Sequence, residues 1–406
     1  MKESARRRAA DRAAPEGSRP IPEDFLGRLV AVRRELHRHP ETSWNETGTA
    51  ERIENWLLDL GLEPRRVCGT GVLVDVPGGR EGARVALRAD IDALPITEET
   101  GLPFASQNPG AMHACGHDGH IAMLLGAAEL LARNPPPGPV RLIFQPAEEV
   151  GTGAKALIEA GALDGVTAIF GGHLDIHFPA GTIFVTPGPV AASTDLLRVR
   201  IAGRGGHAAR PHETVDAVVV ASHVVLALQH IVSRGIDPAE AAVVTVGRLQ
   251  AGEVANAIAG SAILEGTIRA FKADVRERLL AETERIARAT AALHGAVAEV
   301  EIAHGTPPVV NEERVTALAR EAALKVAGPE RVVPLLGANM AGEDFSFYQD
   351  RVPGCYVRYG ARPILGEAHP NHSSRFDFDE AALGWGAAWL AEVARVAGRD
   401  LEGVPG

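Results

Sequence analysis

Residues 140–149 read VRLIFQPAEE, an apolar strand that runs directly into two glutamates. Two further stretches have the same organisation: residues 85–92 (VALRADID) end in aspartates, and residues 166–173 (VTAIFGGH) end in a histidine. Short, continuously apolar strands are typical of a parallel sheet that is covered by helices on both faces. These three stretches therefore predict an α/β fold with a mostly parallel sheet.

Helical and strand patterns alternate on both sides of these stretches. Helices are predicted at 25–38, 48–60, from about 119, and at 153–160, and a further strand at 71–76. From residue 196 the order changes to strand, helix, strand, strand, helix, strand, at 196–201, 214–232, 243–248, 262–269, 275–293 and 297–302. This βαββαβ order is that of ferredoxin-like domains. The first pattern then returns, with helices at 314–326 and 380–396 and a strand at 355–359.

A chain of 406 residues is longer than one hydrophobic core usually supports, so at least two domains are expected. We predict a catalytic domain made of residues 23–192 and 304–406, with a ferredoxin-like domain of residues 193–303 inserted into it. Residues 1–22 are polar and rich in alanine, and we predict that they form a disordered arm.

Composition excludes several classes of protein. The formal net charge of -11 argues against nucleic acid or an anionic membrane as the main partner. The start of the chain has no apolar segment of the kind found in secretory signals. The longest apolar stretch, residues 217–228, is too short to span a bilayer and is predicted to be a buried helix. Three cysteines do not suggest a disulfide framework, and we expect a reduced, cytoplasmic protein.

Polar side chains follow three predicted strands at the points where the strands end. They are Asp90 and Asp92, then Glu148 and Glu149, then His173. Ligands of open α/β sheets bind beyond the carboxyl ends of the strands. We therefore expect carboxylates and an imidazole to meet at one edge of the sheet.

The segment 113–120 reads HACGHDGH and lies immediately before a predicted helix. A helix N-terminus favours a thiolate, which is the form of cysteine that binds metals. Cys115 and His117, two residues apart, could face one ion, and Asp118 could orient a ligating imidazole. The alternative is that Cys115 is an inert buried thiol and that the histidines lie on the surface.

Adjacent glutamates are common on exposed helices, but a pair that directly follows a buried strand suits hydrolysis at a metal centre. One carboxylate can bind the metal while the other accepts a proton from water. His372 lies after the last predicted strand, although a lone histidine is often structural. The sequence shows no phosphate-binding loop, dinucleotide-binding fingerprint or nucleophile elbow.

These residues resemble the M20 family of metallopeptidases and amidohydrolases, in particular the branch of hippurate hydrolases, N-acyl-amino-acid amidohydrolases and auxin-conjugate hydrolases. The resemblance runs from about His37 to Asp379. The motifs that carry it are HRHPE (37–41), LRADIDALPI (87–96), HACGHDGH (113–120), FQPAEE (144–149), GHAARPH (206–212), GTIR (266–269), GEDFS (342–346) and the segment around His372.

The resemblance implies two divalent metal ions (zinc, manganese, cobalt or nickel) and a role for each matching residue. Glu148 would be the general base that acts on a metal-activated water, and Asp90 and Asp118 would lie behind the ligands. The implied metal ligands are Cys115, His117, Glu149, His173 and His372.

The inserted domain would be the family's lid and dimerisation domain, so a homodimer is expected. By resemblance, His207 would reach the partner subunit's site and stabilise the oxyanion, and Asn256 and Arg269 would hold the substrate. His207 could instead be a loop histidine that caps a helix, and Arg269 could be paired across the strand face.

Where relatives usually have a short His-x-x-Pro stretch, this chain has Asp175 and His177 between His173 and Pro179, which leaves the substrate open. We expect an amidohydrolase that cleaves N-acyl amino acids, either hippurate-like or N-acetylated. The alternatives are a dipeptidase or carboxypeptidase that acts on unblocked peptides, and a non-catalytic metal-binding relative.

Overall fold

The structure is a computed structural model that describes residues 20–335, 337–364 and 367–401. Residues 1–19, most of the predicted disordered arm, lie outside the described residues.

In chain order the helices are α1 Glu23–Arg38, α2 Thr47–Asp59, α3 His117–Arg133, α4 Gly153–Glu159, α5 Ala217–His230, α6 Ala273–Leu293, α7 Glu313–Ala327, α8 Ser346–Gln349 and α9 Ala382–Asp400. The first strands are β1 Arg65–Val67, β2 Gly71–Val76, β3 Arg84–Asp90, β4 Val140–Gln145, β5 Val166–Asp175, β6 Ile183–Phe184, β7 Gly188–Ala191 and β8 Asp195–Ala202. The remaining strands are β9 Gly206–His207, β10 Ala242–Ala251, β11 Ala257–Ile258, β12 Ser261–Ala270, β13 Val297–His304, β14 Val309–Asn311, β15 Val332–Val333 and β16 Gly354–Gly360.

Two compact units make up the chain. The first comprises Met1–Gly188, Val310–Gly337 and Asp344–Gly406, and the second comprises Pro189–Val309 and Ala338–Glu343. Each unit has its own cluster of buried apolar side chains.

An eight-stranded sheet forms the first unit, in the order β1-β2-β4-β3-β5-β16-β6-β15. Its central strands β4, β3, β5 and β16 are parallel to one another, and β3 and β4 are buried along nearly their whole length. Helices α1, α3, α7 and α9 supply apolar side chains to the same core. The predicted mostly parallel α/β sheet is confirmed, although β2 joins β1 and β4 in antiparallel pairs.

The second unit contains a four-stranded antiparallel sheet in the order β10-β12-β8-β13. With α5 after β8 and α6 after β12, this is the ferredoxin-like arrangement that the sequence predicts.

Helix α5 is predicted to be buried, but only one side of it is. Ala217, Val220, Ala221, Val224 and Leu228 are buried in the core of the second unit. The opposite side of the helix exposes Val218, Val219 and Leu226. By length and composition alone, residues Ala217–Gly235 would suffice to cross a membrane, with 33% of that span buried. A helix that is apolar on both faces but packs on a sheet along only one of them leaves an apolar surface for another partner.

Candidate metal centre

Parallel strand ends bring the predicted side chains of the first unit together. Strands β3 and β4 end at Asp90 and Gln145, so that Asp92 and the pair Glu148 and Glu149 follow at the same edge of the sheet. Strand β5 continues to Asp175, and His173 therefore lies within it, in register with Arg358 of β16, instead of after it.

The HACGHDGH segment forms the entry to α3. The helix begins at His117, and Gly116 precedes it with φ 87°, a left-handed conformation that glycine adopts without a steric penalty. This sharp turn brings Cys115 and His117 to one cluster with His173, in which the potential ligand atoms all lie within 4.8 Å of one another. Cys115 Sγ is 3.3 Å from His173 Nε2.

A second cluster contains Cys115, Glu149 and His372. His372 Nε2 lies 3.4 Å from Glu149 Oε2. The chain around His372 is anchored by its own backbone N–H, which donates to the carbonyl of Ala114 at 2.8 Å. His372 has φ 68°, a strained conformation for a non-glycine residue, and such strain is found preferentially at functional sites.

Glu148 belongs to a third cluster, with His117 and Glu149. Its predecessor Ala147 has φ 53°, so the chain turns sharply as it leaves β4. The two glutamates thus lie at the same site, as the sequence predicts. Each pair of the three clusters has one residue in common, which is Cys115, His117 or Glu149.

The acidic groups of the cluster stabilise positive charge on two of its imidazoles. Hydrogen bonds to the Cys115 thiol and to Glu149 raise the pKa of His372 to about 10. Burial opposes the charged form of His117, but Asp90 and Cys115 outweigh burial and raise its pKa well above the ordinary value. Burial and the neighbouring His120 lower the pKa of His173 well below its usual range, which leaves the neutral imidazole that metals bind.

Unsatisfied atoms show that the site suits metal ions. Among the described residues, the buried atoms His117 Nε2 and Glu149 Oε1 have no hydrogen-bond partner. They lie 3.8 Å apart. Buried polar atoms normally have partners, and a thiol, three imidazoles and carboxylates are the donor set of a transition-metal site. The residues therefore fit the metal centre that the sequence predicts.

Asp92, which the sequence predicts at this edge of the sheet without a role of its own, connects the clusters. The Nδ1–H of His117 donates to the backbone carbonyl of Asp92 at 2.9 Å. The carboxylate oxygen Oδ1 of Asp92 lies 3.3 Å from the same nitrogen. The other oxygen, Oδ2, accepts from the backbone N–H of Glu149 at 3.0 Å and from Ser43 Oγ at 2.7 Å. The sequence feature that could have identified Asp92 is the DID stretch at the end of β3, in which either aspartate could face the site.

Asp118 does not have the role that the sequence predicts. It does not orient a ligating imidazole: its carboxylate accepts from Arg33 Nε at 2.8 Å and lies 2.8 Å from Nδ1 of His37. Both partners come from α1. Because Asp118 directly follows His117 on α3, its side chain points to a different side of the helix. The carboxylate therefore lies in the contact between α1 and α3.

Asp90 is buried next to the site, and its role behind the ligands stays a prediction. Its Oδ1 is 2.6 Å from Nδ1 of His120, and Arg88 donates to its Oδ2 at 2.6 Å. Nε2 of His120 in turn accepts from the backbone N–H of Leu174 at 3.0 Å. The Leu174 carbonyl is 2.8 Å from Nδ1 of His173, which leaves Nε2 of His173 facing Cys115.

The second unit holds the three predicted lid residues. His207 and Asn256 are exposed and adjacent, because the N–H of Ala208 donates to the Asn256 carbonyl at 3.1 Å. Arg269 is half-buried on β12 and donates to the Met340 carbonyl at 2.9 Å. It is thus bonded to backbone within its own unit, and the substrate roles of all three residues stay predictions.

The unusual pair Asp175 and His177 forms its own contact. Nδ1 of His177 is 2.8 Å from Asp175 Oδ1, and this contact lowers the pKa of Asp175 against the effect of burial. The His177 side chain is mostly exposed. The pair lies just beyond His173 and leaves the ligand cluster intact.

A sequence profile of peptidase family M20/M25/M40 matches residues 86–396. The chain is 42% identical over 374 residues to an N-acetyl-L-cysteine deacetylase of Bacillus subtilis, covering 90% of this chain and 87% of that one. It is 38% identical over 374 residues to thermostable carboxypeptidase 1 of Saccharolobus solfataricus, covering 90% and 94% of the two chains. Among solved structures it resembles the Bacillus subtilis YXEP protein, a dinuclear metal-binding peptidase, with a TM-score of 0.82, 38% identity and coverage of 93% and 99%.

Proposed function

This chain belongs to peptidase family M20/M25/M40, and we propose that, as a member, it cleaves N-acyl amino acids with two divalent metal ions at the site described above. It is a hydrolase of amide bonds. The observation that carries the proposal is the overlap of three potential ligand clusters through Cys115, His117 and Glu149. The likeness to a solved structure described as a dinuclear metal-binding peptidase supports two ions at this site.

Five residues would hold the metal ions: Cys115, His117, Glu149, His173 and His372. Divalent ions at such a site polarise the amide carbonyl and lower the pKa of water. A thiol with imidazoles suits zinc, cobalt or nickel, and the carboxylates also admit manganese.

Glu148 is assigned the proton transfers. The resemblance implies this role for Glu148, whereas Glu149, which lies with Cys115 and His372, is the implied ligand of the pair. Glu148 accepts a proton from the attacking water and donates that proton to the amine nitrogen as the amide bond breaks. An intact carboxylate in this position also argues against a non-catalytic metal-binding role.

N-acyl amino acids are the substrate class that the relatives favour, since one of them is named for the deacetylation of N-acetyl-L-cysteine. Arg269 and Asn256 would bind the substrate and His207 would stabilise the oxyanion, as the resemblance implies. The carboxypeptidase name of another relative supports unblocked or longer peptides as the second candidate.

We further propose a homodimer in which the second unit supplies the interface. The exposed apolar side of α5, formed by Val218, Val219 and Leu226, supports this proposal because monomers rarely leave such a surface uncovered. The cysteines Cys68, Cys115 and Cys355 are all free, in keeping with a reduced cytoplasmic setting.

A substrate panel tests the reaction class. Protein loaded with manganese or zinc is offered N-acetyl, N-benzoyl and indole-acetyl amino acids beside free dipeptides of the same amino acids, with chelator-treated protein as the control. Metal-dependent hydrolysis of the acylated compounds, with kcat/KM well above that for the dipeptides, supports the proposal. Preference for dipeptides would favour the second candidate, and inactivity towards both classes with metal bound would contradict an enzymatic function.

A further inference from the structure

Trp44 has an unusual conformation and an unusual exposure. Among the described residues, four non-glycine residues have a positive φ: Trp44 at 66°, Cys68, Ala147 and His372. A positive φ is sterically unfavourable for a bulky residue, and such strain concentrates at functional sites. Ala147 and His372 both belong to the metal centre, which places Trp44 in the same group by conformation.

A short series of hydrogen bonds links Trp44 and its neighbour Ser43 to the segments that carry the proposed catalytic residues. The indole N–H of Trp44 donates to Thr152 Oγ1 at 3.1 Å. The backbone N–H of Thr152 donates to the Ala147 carbonyl at 3.3 Å, next to Glu148. On its other side, Ser43 donates to the Asp92 carboxylate, which also accepts the N–H of Glu149.

The Trp44 side chain is nevertheless not a core side chain. It is 40% exposed, whereas Trp385 is 8% and Trp389 0% exposed. Val150, two residues before Thr152, is 56% exposed. A partly exposed indole thus lies next to the segment that carries Glu148 and Glu149, and an exposed valine lies within that segment.

We propose that the exposed indole of Trp44 binds the acyl group of the substrate and selects for aromatic acyl groups. This inference rests on the proposed function and narrows its substrate class. The side chain of the acyl group is bonded directly to the reacting carbonyl carbon, so it lies within reach of the segment that carries Glu148. An aromatic acyl group gains both buried apolar area and ring stacking on the indole, and an acetyl group gains little of either.

Kinetics with matched acyl groups test the proposal. In Trp44→Ala, kcat/KM for an N-benzoyl amino acid falls by roughly ten-fold or more, mainly through KM, as expected for loss of an apolar contact. The loss for the N-acetyl derivative of the same amino acid is several-fold smaller, and Trp44→Phe recovers most of the N-benzoyl activity. Equal losses for the two substrates, or no loss, would overturn the proposal.

Thr152→Val is a second variant for the case in which Trp44→Ala fails to fold. Thr152 precedes α4 but its hydroxyl caps no N–H of that helix, so the change removes only the hold on the indole. It lowers kcat/KM for the N-benzoyl substrate more than for the N-acetyl substrate. Equal kcat/KM losses would again contradict a role in acyl selection.

Fluorescence separates this proposal from the proposed function because it needs no turnover. An N-benzoyl amino acid titrated into metal-loaded Glu148→Gln changes the tryptophan emission, since Trp44 is the site tryptophan. Adding Trp44→Phe removes that change in emission, whereas adding Trp56→Phe on α2 leaves it as it was. A signal that persists without Trp44 would overturn the proposal. Failure of the proposed function alone would appear as a wild type inactive on every N-acyl amino acid, with the fluorescence change still dependent on Trp44.

Discussion

The carboxylate of Asp92 accepts the backbone N–H of Glu149 at 3.0 Å and thereby ties the strand end of β3 to the strand end of β4. The same carboxylate lies 3.3 Å from Nδ1 of His117. One residue therefore holds two of the predicted metal ligands in their mutual positions without being among the five proposed ligands.

Removal of that carboxylate is expected to weaken metal binding. In Asp92→Ala, metal affinity falls by roughly 10- to 100-fold, the usual cost of losing a partner behind a ligand. Chelator competition followed by metal analysis measures it, and Asp24→Ala, an exposed carboxylate on α1, is the control. Unchanged metal affinity in Asp92→Ala would show that His117 and Glu149 are positioned by other contacts.

Arg33 is expected to stabilise the fold far more than its neighbour Arg34. Arg33 is fully buried and pairs with Asp118, Asp377 and Glu380, so Arg33→Met takes the guanidinium away from the fully buried carboxylate of Asp118. The expected loss in free energy of unfolding is roughly 3–5 kcal/mol. Arg34, whose side chain is 41% exposed, pairs with Glu380, and Arg34→Met should cost under about 1 kcal/mol. Urea unfolding of the metal-loaded variants measures both values, and equal losses would contradict the account of this network.

Asp92 and Asp118 mark the boundary between what the sequence predicts and what it does not. The gathering of Glu148, Glu149 and His173 follows from local rules, because parallel strands end at one edge of a sheet. Which of Asp92 and Asp118 contacts His117 does not follow from local rules, because it depends on how α1 packs against α3. Arg33 is 85 residues from Asp118 along the chain, and no local pattern indicates that pairing.

The fold, too, is predicted from the sequence only where an element has a local pattern of its own. Strand β2 has the predicted bounds 71–76, and the ferredoxin-like order is readable from periodicity. Strands Ile183–Phe184 and Val332–Val333 have two residues each, too few for any alternation to show. They form through pairing with distant segments, so long-range contacts and not local propensity decide them.

Alkaline pH is expected to destabilise the protein through Cys355. Burial raises the pKa of this thiol to about 12 from an ordinary value of 9.0. Because the folded state holds the proton more tightly, this contribution to stability is complete below pH 9 and is lost as the pH rises towards 12. The stability difference between wild type and Cys355→Ala should therefore shrink from neutral pH to strongly alkaline pH. A difference that stays constant in urea unfolding across that range would contradict this assignment, and Cys68→Ser, at an exposed position, is the control.

Disruption of the exposed side of α5 is expected to yield monomers. Leu226 is 70% exposed, so Leu226→Glu places a charge on the proposed interface without disturbing the core. Sedimentation velocity should show a dimer for the wild type and a monomer for the variant, with activity lost if the partner's His207 is needed. Leu58→Glu, on α2 of the first unit and 56% exposed, should stay dimeric. A dimer that survives Leu226→Glu would place the interface elsewhere.

Proton transfer by Glu148, at a metal site that its neighbour Glu149 helps to form, is the step on which the proposed function depends. The most direct test measures bound metal and turnover of an N-acyl amino acid in Glu148→Gln and Glu149→Gln side by side. We predict that Glu148→Gln keeps the metal content of the wild type while kcat falls by roughly 10²- to 10⁴-fold, and that Glu149→Gln loses metal as well as activity. Turnover in metal-loaded Glu148→Gln within a few-fold of the wild type would contradict this role of Glu148, as would loss of metal from that variant.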